Sequence, residues 1–545
     1  MDTLTAVGAE RMNGSEAVVA GLRSQGVRTV FGIPGVHTQH LYATLPRDGS
    51  LRHILVRHEQ GAGFAAIGAA RASGQPGVLL TTPGPGALNA ATPLAQAHAD
   101  STPIMLIMAE EERPLLYRDV GFLHEIKHQQ QLFSGLTQWN TQVQSPAAIP
   151  PAIREGFRLM RERRPRPVAI EVPHDVHLAD GHVEAAGPSV PRPPGGDQQD
   201  LERAARMLAE AERPLLWAGG GVMTGAAWEP FQRLAERLDA PVLTSTTAKG
   251  VMPHDHRLHI GSLFNFGPIQ RLMADSDVML AVGSAFGASP TRKWSMPVGQ
   301  KLIQIDIDPR QPGKNYPVEL GVCADAGPAL ESILDALGPG DGQNDAWVAR
   351  ARNERAQVYA YMNDHAAFEM DLVRELRAGI PEDAIVVGDP HIVGYWCRPF
   401  MPFSKPRKWI YGMTGCALGY SYPVALGAKA VMPDVPVVAL AGDGGFLFTG
   451  QELATAVRHD LAVVAVVFDD SAYGVIKQGM QNLYGESFEV DLANPDYVAY
   501  ARSFGVRAQR CRPEELAATV GRAIAEGGPA LIHVPLNPRR PLEMD

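Results

Sequence analysis

Cysteine is scarce in this chain of 545 residues. The four present, Cys323, Cys397, Cys416 and Cys511, lie far apart and form no C-x-x-C pair. A disulfide framework and a structural zinc site are therefore not expected, whereas a reducing, cytoplasmic location is. A surplus of basic residues is also missing, because the formal net charge is −10, and this argues against a nucleic-acid partner.

Long apolar runs are absent as well. The longest, such as residues 461–468, have about eight residues, whereas a membrane-spanning helix needs roughly 20. The first residues are neither basic nor continuously apolar, so we expect no signal peptide and no membrane partner. With 45% hydrophobic and 20% charged residues, the composition is typical of a globular protein, and the length indicates several domains.

Apolar runs of strand length alternate with helical patterns along the whole chain, which is typical of parallel α/β sheets. Two polar stretches rich in Pro and Gly, residues 186–199 and 338–345, interrupt this alternation and are interpreted as linkers. The chain is therefore predicted to contain three doubly wound α/β domains, residues 1–185, 199–337 and 346–545.

The outer two domains resemble each other. Residues 64–86 and 422–445 both run from a helix of small residues through a Pro-containing turn and an apolar strand to a Gly-rich turn. An internal duplication explains this shared order; the alternative is a chance match of ordinary α/β turns. In the central, Rossmann-like domain, Gly219-Gly220-Gly221 follows the first strand, but without a full G-x-G-x-x-G pattern a tight turn is the preferred interpretation.

The strongest constellation in the chain is one βαβ unit. It consists of a buried strand over residues 435–440, the turn Gly442-Asp443-Gly444, a helix over 449–459 with Leu453 and Val457 on one face, a strand over 461–468 and the pair Asp469-Asp470. The crossover makes the two strands parallel, so both acidic turns are expected at the edge of the sheet where ligands bind.

Asp443 and Asp470 are therefore expected to be neighbours, and two carboxylates that close repel each other unless a cation lies between them. The available oxygen ligands suit Mg²⁺ or Ca²⁺ better than zinc. Gly444 and Gly445 leave backbone N–H groups free to approach a phosphate. These residues predict a metal-bridged diphosphate site; the alternative is two unrelated surface turns.

Gly442-Asp443-Gly444 followed by Asp469-Asp470 resembles the thiamine-diphosphate motif written GDG…NN. With pyrimidine-binding, central and diphosphate-binding domains in that order, the chain resembles the superfamily of acetohydroxyacid synthases, pyruvate oxidases and 2-oxo acid decarboxylases. The resemblance implies thiamine diphosphate (ThDP) and Mg²⁺ as cofactors, with the Asp443 and Asp470 side chains and the Ala472 carbonyl as metal ligands. Asp470 replaces the usual Asn but keeps an oxygen ligand. A flavin (FAD) in the central domain is left open but is not expected.

Arg57-His58-Glu59-Gln60-Gly61 lies where a predicted strand runs into a helix of Ala and Gly. In the family that this sequence resembles, a Glu at this position hydrogen-bonds the aminopyrimidine ring of ThDP and favours the imino tautomer that removes the C2 proton. The resemblance therefore makes Glu59 the catalytic carboxylate, and an apolar surrounding would strengthen its pairing. The alternative is a Glu that only stabilises the helix dipole.

The resemblance also assigns further cofactor contacts. Leu418 would lie under the cofactor and bend it, and the backbone at Cys416 would meet its amino group. The remaining predicted cofactor-binding residues are Asp389, His391, Gly442, Gly444, Gly445, Tyr473 and Gly474. Because Glu59 and Asp443 act on opposite ends of one cofactor, the family builds its active site between two subunits. We therefore expect a homodimer that pairs into a dimer of dimers.

Pocket residues are less clearly marked. His37 in FGIPGVH and His124 in GFLHE occupy positions that the resemblance makes catalytic or substrate-contacting, and an imidazole titrates near neutral pH. A histidine in a surface loop is the alternative for each. Gln60, Asn89 and Ile476 are the other substrate-binding candidates. Ile476 stands where pyruvate decarboxylases carry a catalytic Glu, which argues against their mechanism in detail.

The stretches FGIPGVH, RHEQGAGF, GPGALNAATP and FLHE together look most similar to the 5-guanidino-2-oxopentanoate (2-ketoarginine) decarboxylase group. The resemblance implies an enzyme that decarboxylates a 2-oxo acid through a C2-carbanion and an enamine, and then releases an aldehyde or joins the fragment to a second carbonyl compound. The alternatives are an acetolactate synthase-like or benzaldehyde lyase-like enzyme, and a cofactor-binding homologue without turnover. The last is disfavoured because Glu59, Asp443 and Asp470 occur together.

Overall fold

The structure, a computed structural model of the chain, describes residues 9–184, 186–340, 342, 344–542 and 544. The chain forms two compact units. The first unit contains the N-terminal segment up to Arg192 together with Tyr422–Asp434 and Thr449–Leu461, and the second contains Pro193–Ser421, Val435–Phe448 and the residues from Ala462 onward.

The N-terminal segment builds a six-stranded parallel sheet with helices in its connections. The strands of this segment, six in the parallel sheet and two in a separate pair, are β1 Glu10–Asn13, β2 Thr29–Gly32, β3 Arg52–Leu55, β4 Gly77–Thr81, β5 Ile104–Glu110, β6 Trp139–Gln142, β7 Val168–Pro173 and β8 Asp180–Val183. Its helices are α1 Gly14–Ser24, α2 Gln39–Asp48, α3 Glu59–Ser73, α4 Pro85–Asn89, α5 Ala91–Ala99, α6 Gln129–Ser134, α7 Ile149–Glu162 and α8 His174–Leu178, with 3₁₀ turns at Val36–Thr38 and Pro146–Ala148. The parallel sheet has the order β3-β2-β4-β5-β7-β6, and β1 pairs antiparallel with β8.

The central segment builds a second parallel sheet. Its strands are β9 Pro214–Ala218, β10 Val242–Thr244, β11 His259–Gly261, β12 Val278–Val282, β13 Lys301–Asp306 and β14 Leu320–Cys323. Its helices are α9 Gln198–Ala209, α10 Gly220–Thr224, α11 Trp228–Leu238, α12 Gly267–Asp275 and α13 Ala326–Leu337, with a 3₁₀ turn at Thr246–Ala248. The order β11-β10-β9-β12-β13-β14 is the 3-2-1-4-5-6 order of the Rossmann fold.

The C-terminal segment builds the third parallel sheet, in the order β16-β15-β17-β18-β20-β19. Its strands are β15 Ile385–Gly388, β16 Trp409–Tyr411, β17 Val437–Gly442, β18 Val463–Asp469, β19 Arg507–Arg510 and β20 Ala530–Pro535. Its helices are α14 Asp345–His365, α15 Ala367–Ala378, α16 Ile392–Phe400, α17 Ser421–Val431, α18 Asp443–Leu447, α19 Leu453–His459, α20 Gly474–Tyr484, α21 Tyr497–Ser503 and α22 Leu516–Ala525, with 3₁₀ turns at Gly450–Glu452 and Pro513–Glu515.

The first and third sheets share one topology. With the antiparallel pair β1 and β8 left aside, the strands of each sheet lie in the order 2-1-3-4-6-5, counted by their appearance in the chain. The predicted fold class, with three parallel α/β domains of which the outer two are alike and the central one Rossmann-like, is confirmed. The domain limits 1–185, 199–337 and 346–545 stay a prediction.

The small-residue helices α3 and α17 pack on each other within the first unit. A Cβ atom on Gly68 would overlap the Val424 carbonyl oxygen, and one on Gly427 would overlap the Ala65 carbonyl oxygen. The two backbones therefore approach as closely as glycine permits. This contact explains why both helices contain so few large side chains.

The Gly219-Gly220-Gly221 turn after β9 is explained by packing against a neighbouring turn. A Cβ atom on Gly219 would overlap the Gly283 carbonyl oxygen, and one on Gly221 would lie 2.5 Å from the Gly283 Cα. Gly283 itself follows β12 and has a φ of 62°, in the left-handed region. Backbone packing thus accounts for Gly219 and Gly221.

Some element predictions need correction. The strands predicted over 435–440 and 461–468 are β17 and β18, each of which begins two residues later. The predicted helix over 449–459 is a 3₁₀ turn followed by α19. Leu453 and Val457 lie four residues apart in α19, as predicted, with Leu453 buried and Val457 42% exposed. In the described ranges, no helix is both long and apolar enough to cross a membrane.

Candidate active site

The two acidic turns at the carboxyl ends of β17 and β18 meet. Asp443, the first residue of α18, and Asp470, directly after β18, are hydrogen-bonded through their side chains. Burial, together with the charge of Asp470, raises the pKa of Asp443 to about 7, and burial raises the pKa of Asp470. The predicted proximity is confirmed, and it creates a position where a shared proton or a cation relieves the repulsion.

Asp469, next to Asp470 in the sequence, has a different environment. Its carboxylate accepts hydrogen bonds from His533 Nε2 at 2.8 Å and Asn494 Nδ2 at 3.0 Å. Burial alone would raise the pKa of Asp469, but hydrogen bonds that include those from His533 and Asn494 hold it below its usual value. Asn494 also donates to Asp443 Oδ2 at 2.7 Å, so one amide joins the two acidic turns.

The turn that follows Asp470 is tightly built. Ser471 has a left-handed φ of 51°, and the N–H of buried Ala472 donates to the Asp470 carboxylate. A Cβ atom on Gly474 would overlap that carboxylate, so glycine is required where α20 begins. Within the described residues, no three His, Cys, Asp or Glu side chains form a metal-holding group. A metal here would therefore depend on two carboxylates and the backbone, which suits Mg²⁺ with water and phosphate in its remaining positions.

The predicted glycines after β17 each face a side chain from another loop. A Cβ atom would lie 2.9 Å from the His391 Cβ at Gly442, 2.8 Å from the Tyr473 ring at Gly444 and 3.2 Å from the Asp389 carboxylate at Gly445. The structure thus brings the candidates from three separate stretches of the C-terminal segment to one end of the third sheet.

Asp389 holds the start of α17. Its buried carboxylate accepts the N–H groups of Tyr420 and Ser421, each at 3.0 Å, and the Ser421 hydroxyl at 3.2 Å. Burial raises the pKa of Asp389 to about 7. These contacts use the carboxylate inside the protein, and the predicted cofactor contact of Asp389 stays a prediction.

His391 presents a buried ring nitrogen. Its Nδ1 accepts the Gly394 N–H at 3.4 Å, whereas its Nε2 is buried without a hydrogen-bond partner. Burial lowers the pKa of His391 to about 3, although a hydrogen bond with the Leu440 backbone opposes this, so the ring is neutral. A buried polar atom without a partner beside the Gly442 turn is the kind of group that a bound ligand would satisfy.

The remaining candidates of the C-terminal segment lie in more open positions. Cys416 is exposed, has a φ of 47°, and donates through Sγ to the Met413 carbonyl at 3.0 Å. Leu418 is half-buried in the same irregular stretch, and Ile476 on α20 is 57% exposed. Their predicted contacts with cofactor or substrate stay predictions.

Glu59 is the first residue of α3 and is nearly buried. Its Oε2 accepts a hydrogen bond from Asn89 Nδ2 at 2.9 Å, and a Cβ atom on Gly86 would lie 3.2 Å from its Oε1. Asn89, predicted as a substrate contact, is therefore a partner of Glu59. Half-buried Gln60 follows in the first turn of the helix.

His37 and His124 converge on one hydroxyl. The Nδ1 atom of each ring lies 3.5 Å from Thr82 Oγ1, and the two ring centroids are 5.5 Å apart. Burial, with help from neighbouring His174 and His124, lowers the pKa of His37 to about 4, so this imidazole is neutral near pH 7. Gly86 lies beside both Thr82 and Glu59, because a Cβ atom on it would lie 2.7 Å from Thr82 Cγ2 and 3.2 Å from Glu59 Oε1. The histidine pair that contacts Thr82 is therefore near Glu59.

Glu111 is a member of this cluster that the sequence interpretation missed. Its side chain is buried, His37 Nε2 lies 3.5 Å from its Oε1, and neither carboxylate oxygen has a hydrogen-bond partner. Burial and the charge of Glu110 raise the pKa of Glu111 to about 7. The signal in the sequence is a run of three Glu directly at the end of an apolar strand, an edge where ligands of parallel sheets bind.

Family models match all three domains. The N-terminal thiamine pyrophosphate (TPP, another name for ThDP) binding domain of TPP enzymes matches residues 12–133, their central domain matches 201–333, and their C-terminal TPP-binding domain matches 392–534. The chain belongs to the thiamine pyrophosphate enzymes.

Curated relatives match over nearly their whole length. A probable 2-ketoarginine decarboxylase of Pseudomonas aeruginosa is 36% identical over 529 residues, which cover 96% of this chain and 94% of the relative. A probable acetolactate synthase large subunit of Methanocaldococcus jannaschii is 34% identical over 98% of this chain and 93% of its own. The large subunit of acetolactate synthase isozyme 2 of Escherichia coli is 31% identical over 96% of both chains.

Proposed function

We propose that this TPP enzyme decarboxylates a 2-oxo acid in a ThDP- and Mg²⁺-dependent reaction, and that it joins the product fragment to a second carbonyl compound when one is supplied. The observation that carries the proposal is the hydrogen-bonded pair Asp443 and Asp470 at adjacent parallel strand ends. The similarity to a 2-ketoarginine decarboxylase and to acetolactate synthases supports the same reaction class.

The residues divide the binding of the cofactor between them. When bound, ThDP supplies a nucleophilic carbon and an electron sink for the decarboxylation. The Asp443 and Asp470 carboxylates and the Ala472 carbonyl would hold Mg²⁺, which lets them stay ionised despite their burial. The N–H groups of the Gly444 turn would donate to the diphosphate, with the unpartnered Nε2 of His391 beside it.

Proton handling belongs to the first unit of the chain. Glu59 would hold the pyrimidine ring nitrogen, and the hydrogen bond from Asn89 keeps its carboxylate oriented. Neutral His37 would accept a proton at the substrate and return it to the product, with His124 and Thr82 beside it.

A homodimer with active sites at the subunit interface is part of the proposal, and so is a pairing of two dimers. Large apolar side chains are exposed directly beside the candidate residues, which is typical of a surface that a partner covers. They are Leu88, Phe122, Leu123, Leu447, Phe448 and Ile476. We also propose a cytoplasmic location, which fits four cysteines that are all free.

The reaction is tested by incubating the purified protein with ThDP and Mg²⁺ and a panel of 2-oxo acids that includes 2-ketoarginine, pyruvate and phenylpyruvate. Release of CO₂ with formation of one aldehyde identifies a decarboxylase. A coupled product, formed from one or two carbonyl compounds, identifies an acetolactate synthase-like or benzaldehyde lyase-like enzyme. Absence of turnover with every substrate, in protein shown to bind ThDP, would contradict the proposal.

Glu59→Gln is the companion variant. Removal of the acid should lower turnover roughly 10²-fold or more, in the range typical of acid–base removal, while the circular dichroism spectrum stays that of the wild type. Exchange of the thiazolium C2 proton, measured by NMR in the ThDP-loaded protein, should slow in parallel. Wild-type exchange in a folded, loaded variant would refute the role of Glu59.

A further inference from the structure

A carboxylate from a distant part of the sequence accepts hydrogen bonds from the backbone directly before Glu59. Glu452, in the 3₁₀ turn before α19, accepts the Arg57 N–H at 3.1 Å on each of its oxygens and the His58 N–H at 3.1 Å on Oε1. Both donors precede α3 and belong to no strand or helix. The carboxylate therefore binds the two peptide groups directly before Glu59.

The position of the Glu452 side chain is itself closely determined. It is fully buried, and Thr455 Oγ1 donates to its Oε2 at 2.5 Å. A Cβ atom on Gly61 would overlap its Oε1, so glycine in the first turn of α3 makes room for the carboxylate. Burial raises the pKa of Glu452 to about 7 although the Thr455, Arg57 and His58 hydrogen bonds lower it.

A second side chain from the same segment binds the preceding strand. His459 Nε2, at the end of α19, accepts the Leu55 N–H at 2.9 Å. The segment 452–459 thus holds the main chain at Leu55, Arg57 and His58. Catalytic groups lose efficiency when they are displaced by about 1 Å, so fixing the two peptide groups directly before Glu59, which Glu452 holds and His459 does not, has a direct chemical consequence.

We propose that Glu452 is a positioning residue that sets the backbone from which the Glu59 carboxylate reaches its hydrogen-bond partner on the cofactor. The proposal rests on the proposed role of Glu59. Glu452 itself contacts neither substrate nor cofactor in this scheme; it acts by anchoring the Arg57 and His58 peptide groups.

Three variants test the anchor. Glu452→Ala removes every acceptor, Glu452→Gln retains one oxygen, and Gly61→Ala leaves Glu452 in place but displaces its carboxylate. His459→Ala is the matched control, because it removes the acceptor of the Leu55 N–H without touching the peptide groups at 57 and 58. Hydrogen exchange of the Arg57 and His58 amides is measured in the protein without cofactor, and C2-proton exchange is measured with ThDP bound.

In Glu452→Ala and Gly61→Ala, the Arg57 and His58 amides should lose protection, and C2-proton exchange should slow roughly tenfold to a hundredfold. Glu452→Gln should show a smaller effect on both, and KM should change less than kcat. His459→Ala should leave C2 exchange near the wild-type rate. If Glu452→Ala or Gly61→Ala fails to fold, the comparison uses Glu452→Gln, which is the mildest change.

Any of four results would overturn the inference. Protected amides in Glu452→Ala would show that the anchor is not made by Glu452. Exposed amides with wild-type C2 exchange, or equal slowing in His459→Ala, would show that the anchor does not act on Glu59. Slow exchange in Glu59→Gln under either result leaves the proposed function intact, whereas wild-type exchange in Glu59→Gln removes the role of Glu59 and this inference with it.

Discussion

Asp469 and Asp470 are neighbours in the sequence, yet their carboxylates do different work. His533 and Asn494 hold Asp469 in its ionised form within the protein. Asp470 turns instead to Asp443, and burial raises the pKa of both members of that pair. For a single residue, the hydrogen-bond partners of the carboxylate decide its charge, so two identical side chains can differ in protonation.

Substitutions of Asp470 separate the oxygen ligand from the charge. Asp470→Asn keeps an oxygen donor and should retain activity, whereas Asp470→Ala removes the ligand and should weaken ThDP binding at least about tenfold at a fixed Mg²⁺ concentration. The measurement is a ThDP titration followed by activity and by intrinsic fluorescence. Equal affinities in the two variants would mean that Asp470 does not contact the metal.

At the scale of elements, α3 and α17 pack closely on each other within the first unit. Glycines and small side chains therefore form the contact between α3, which carries Glu59, and α17. Such a contact tolerates almost no added volume, since a packed interior cannot relax around a new methyl group without moving backbone.

Gly68→Ala tests this contact. The added methyl group would overlap the Val424 carbonyl, so the variant should be destabilised by about 1–3 kcal/mol, the usual cost of overpacking. Gly135→Ala is the matched control, because nothing lies within 4 Å of a Cβ atom at that position. Thermal unfolding of both variants gives the comparison, and equal melting temperatures would contradict the backbone contact.

A second element-scale feature is an acid inside a buried strand. Glu171 is fully buried in β7 and accepts Gln142 Nε2 at 3.1 Å and Gln129 Nε2 at 3.4 Å. Burial and the charge of Glu110 raise the pKa of Glu171 to about 8. The folded chain therefore binds a proton there at pH values where the unfolded chain, with a pKa of about 4.3, has lost it.

This proton makes stability depend on pH with a definite sign. The contribution of Glu171 is fully present below about pH 4.3 and is lost as the pH rises towards 8, because only the folded state holds the proton in that window. Glu171→Gln stays neutral, so the variant should be more stable than the wild type at pH 8 by a few kcal/mol at most, on the order expected for such a shift. Denaturant unfolding at pH 5 and pH 8 measures the free energy of unfolding of both proteins. An equal change between the two pH values in the wild type and in Glu171→Gln would show that Glu171 is not protonated in the folded chain.

At the scale of the whole molecule, the two groups of candidate residues belong to different compact units. Glu59, His37 and His124 lie in the first unit, and Asp443 and Asp470 lie in the second. The proposed homodimer combines the first unit of one subunit with the second unit of its partner in each active site.

Mixing two inactive variants tests this arrangement. Glu59→Gln and Asp443→Ala should each be nearly inactive, but a mixed dimer would contain one site with both native residues. After subunit exchange in equal amounts, activity should therefore recover to about a quarter of the wild-type value, since half of the dimers are mixed and each has one intact site of two. Mixed dimers detected by native mass spectrometry without recovered activity would show that Glu59 and Asp443 of the same chain act together.

The sequence by itself determined the features that depend on local chemistry. Alternating apolar runs and helices specify parallel sheets, and the spacing of Gly442-Asp443-Gly444 and Asp469-Asp470 specifies a βαβ unit whose acidic turns share one edge. Glu59 was predicted at the start of an Ala/Gly helix, and it is the first residue of α3; its role at the cofactor came from the resemblance and stays a prediction. The sheet inferences hold because strand direction follows from chain connectivity alone.

Only the tertiary structure decided which partners these residues have. The structure pairs residues that are far apart in the sequence. The pairs are Asn494 with Asp443, Asn89 with Glu59, Glu111 with His37, and Glu452 with the Arg57 peptide group. The predicted helix over 449–459 needed correction because a 3₁₀ turn occupies Gly450–Glu452 and α19 begins only at Leu453. Burial and side-chain contacts arise from the packing of whole elements, and no local pattern of residues contains that information.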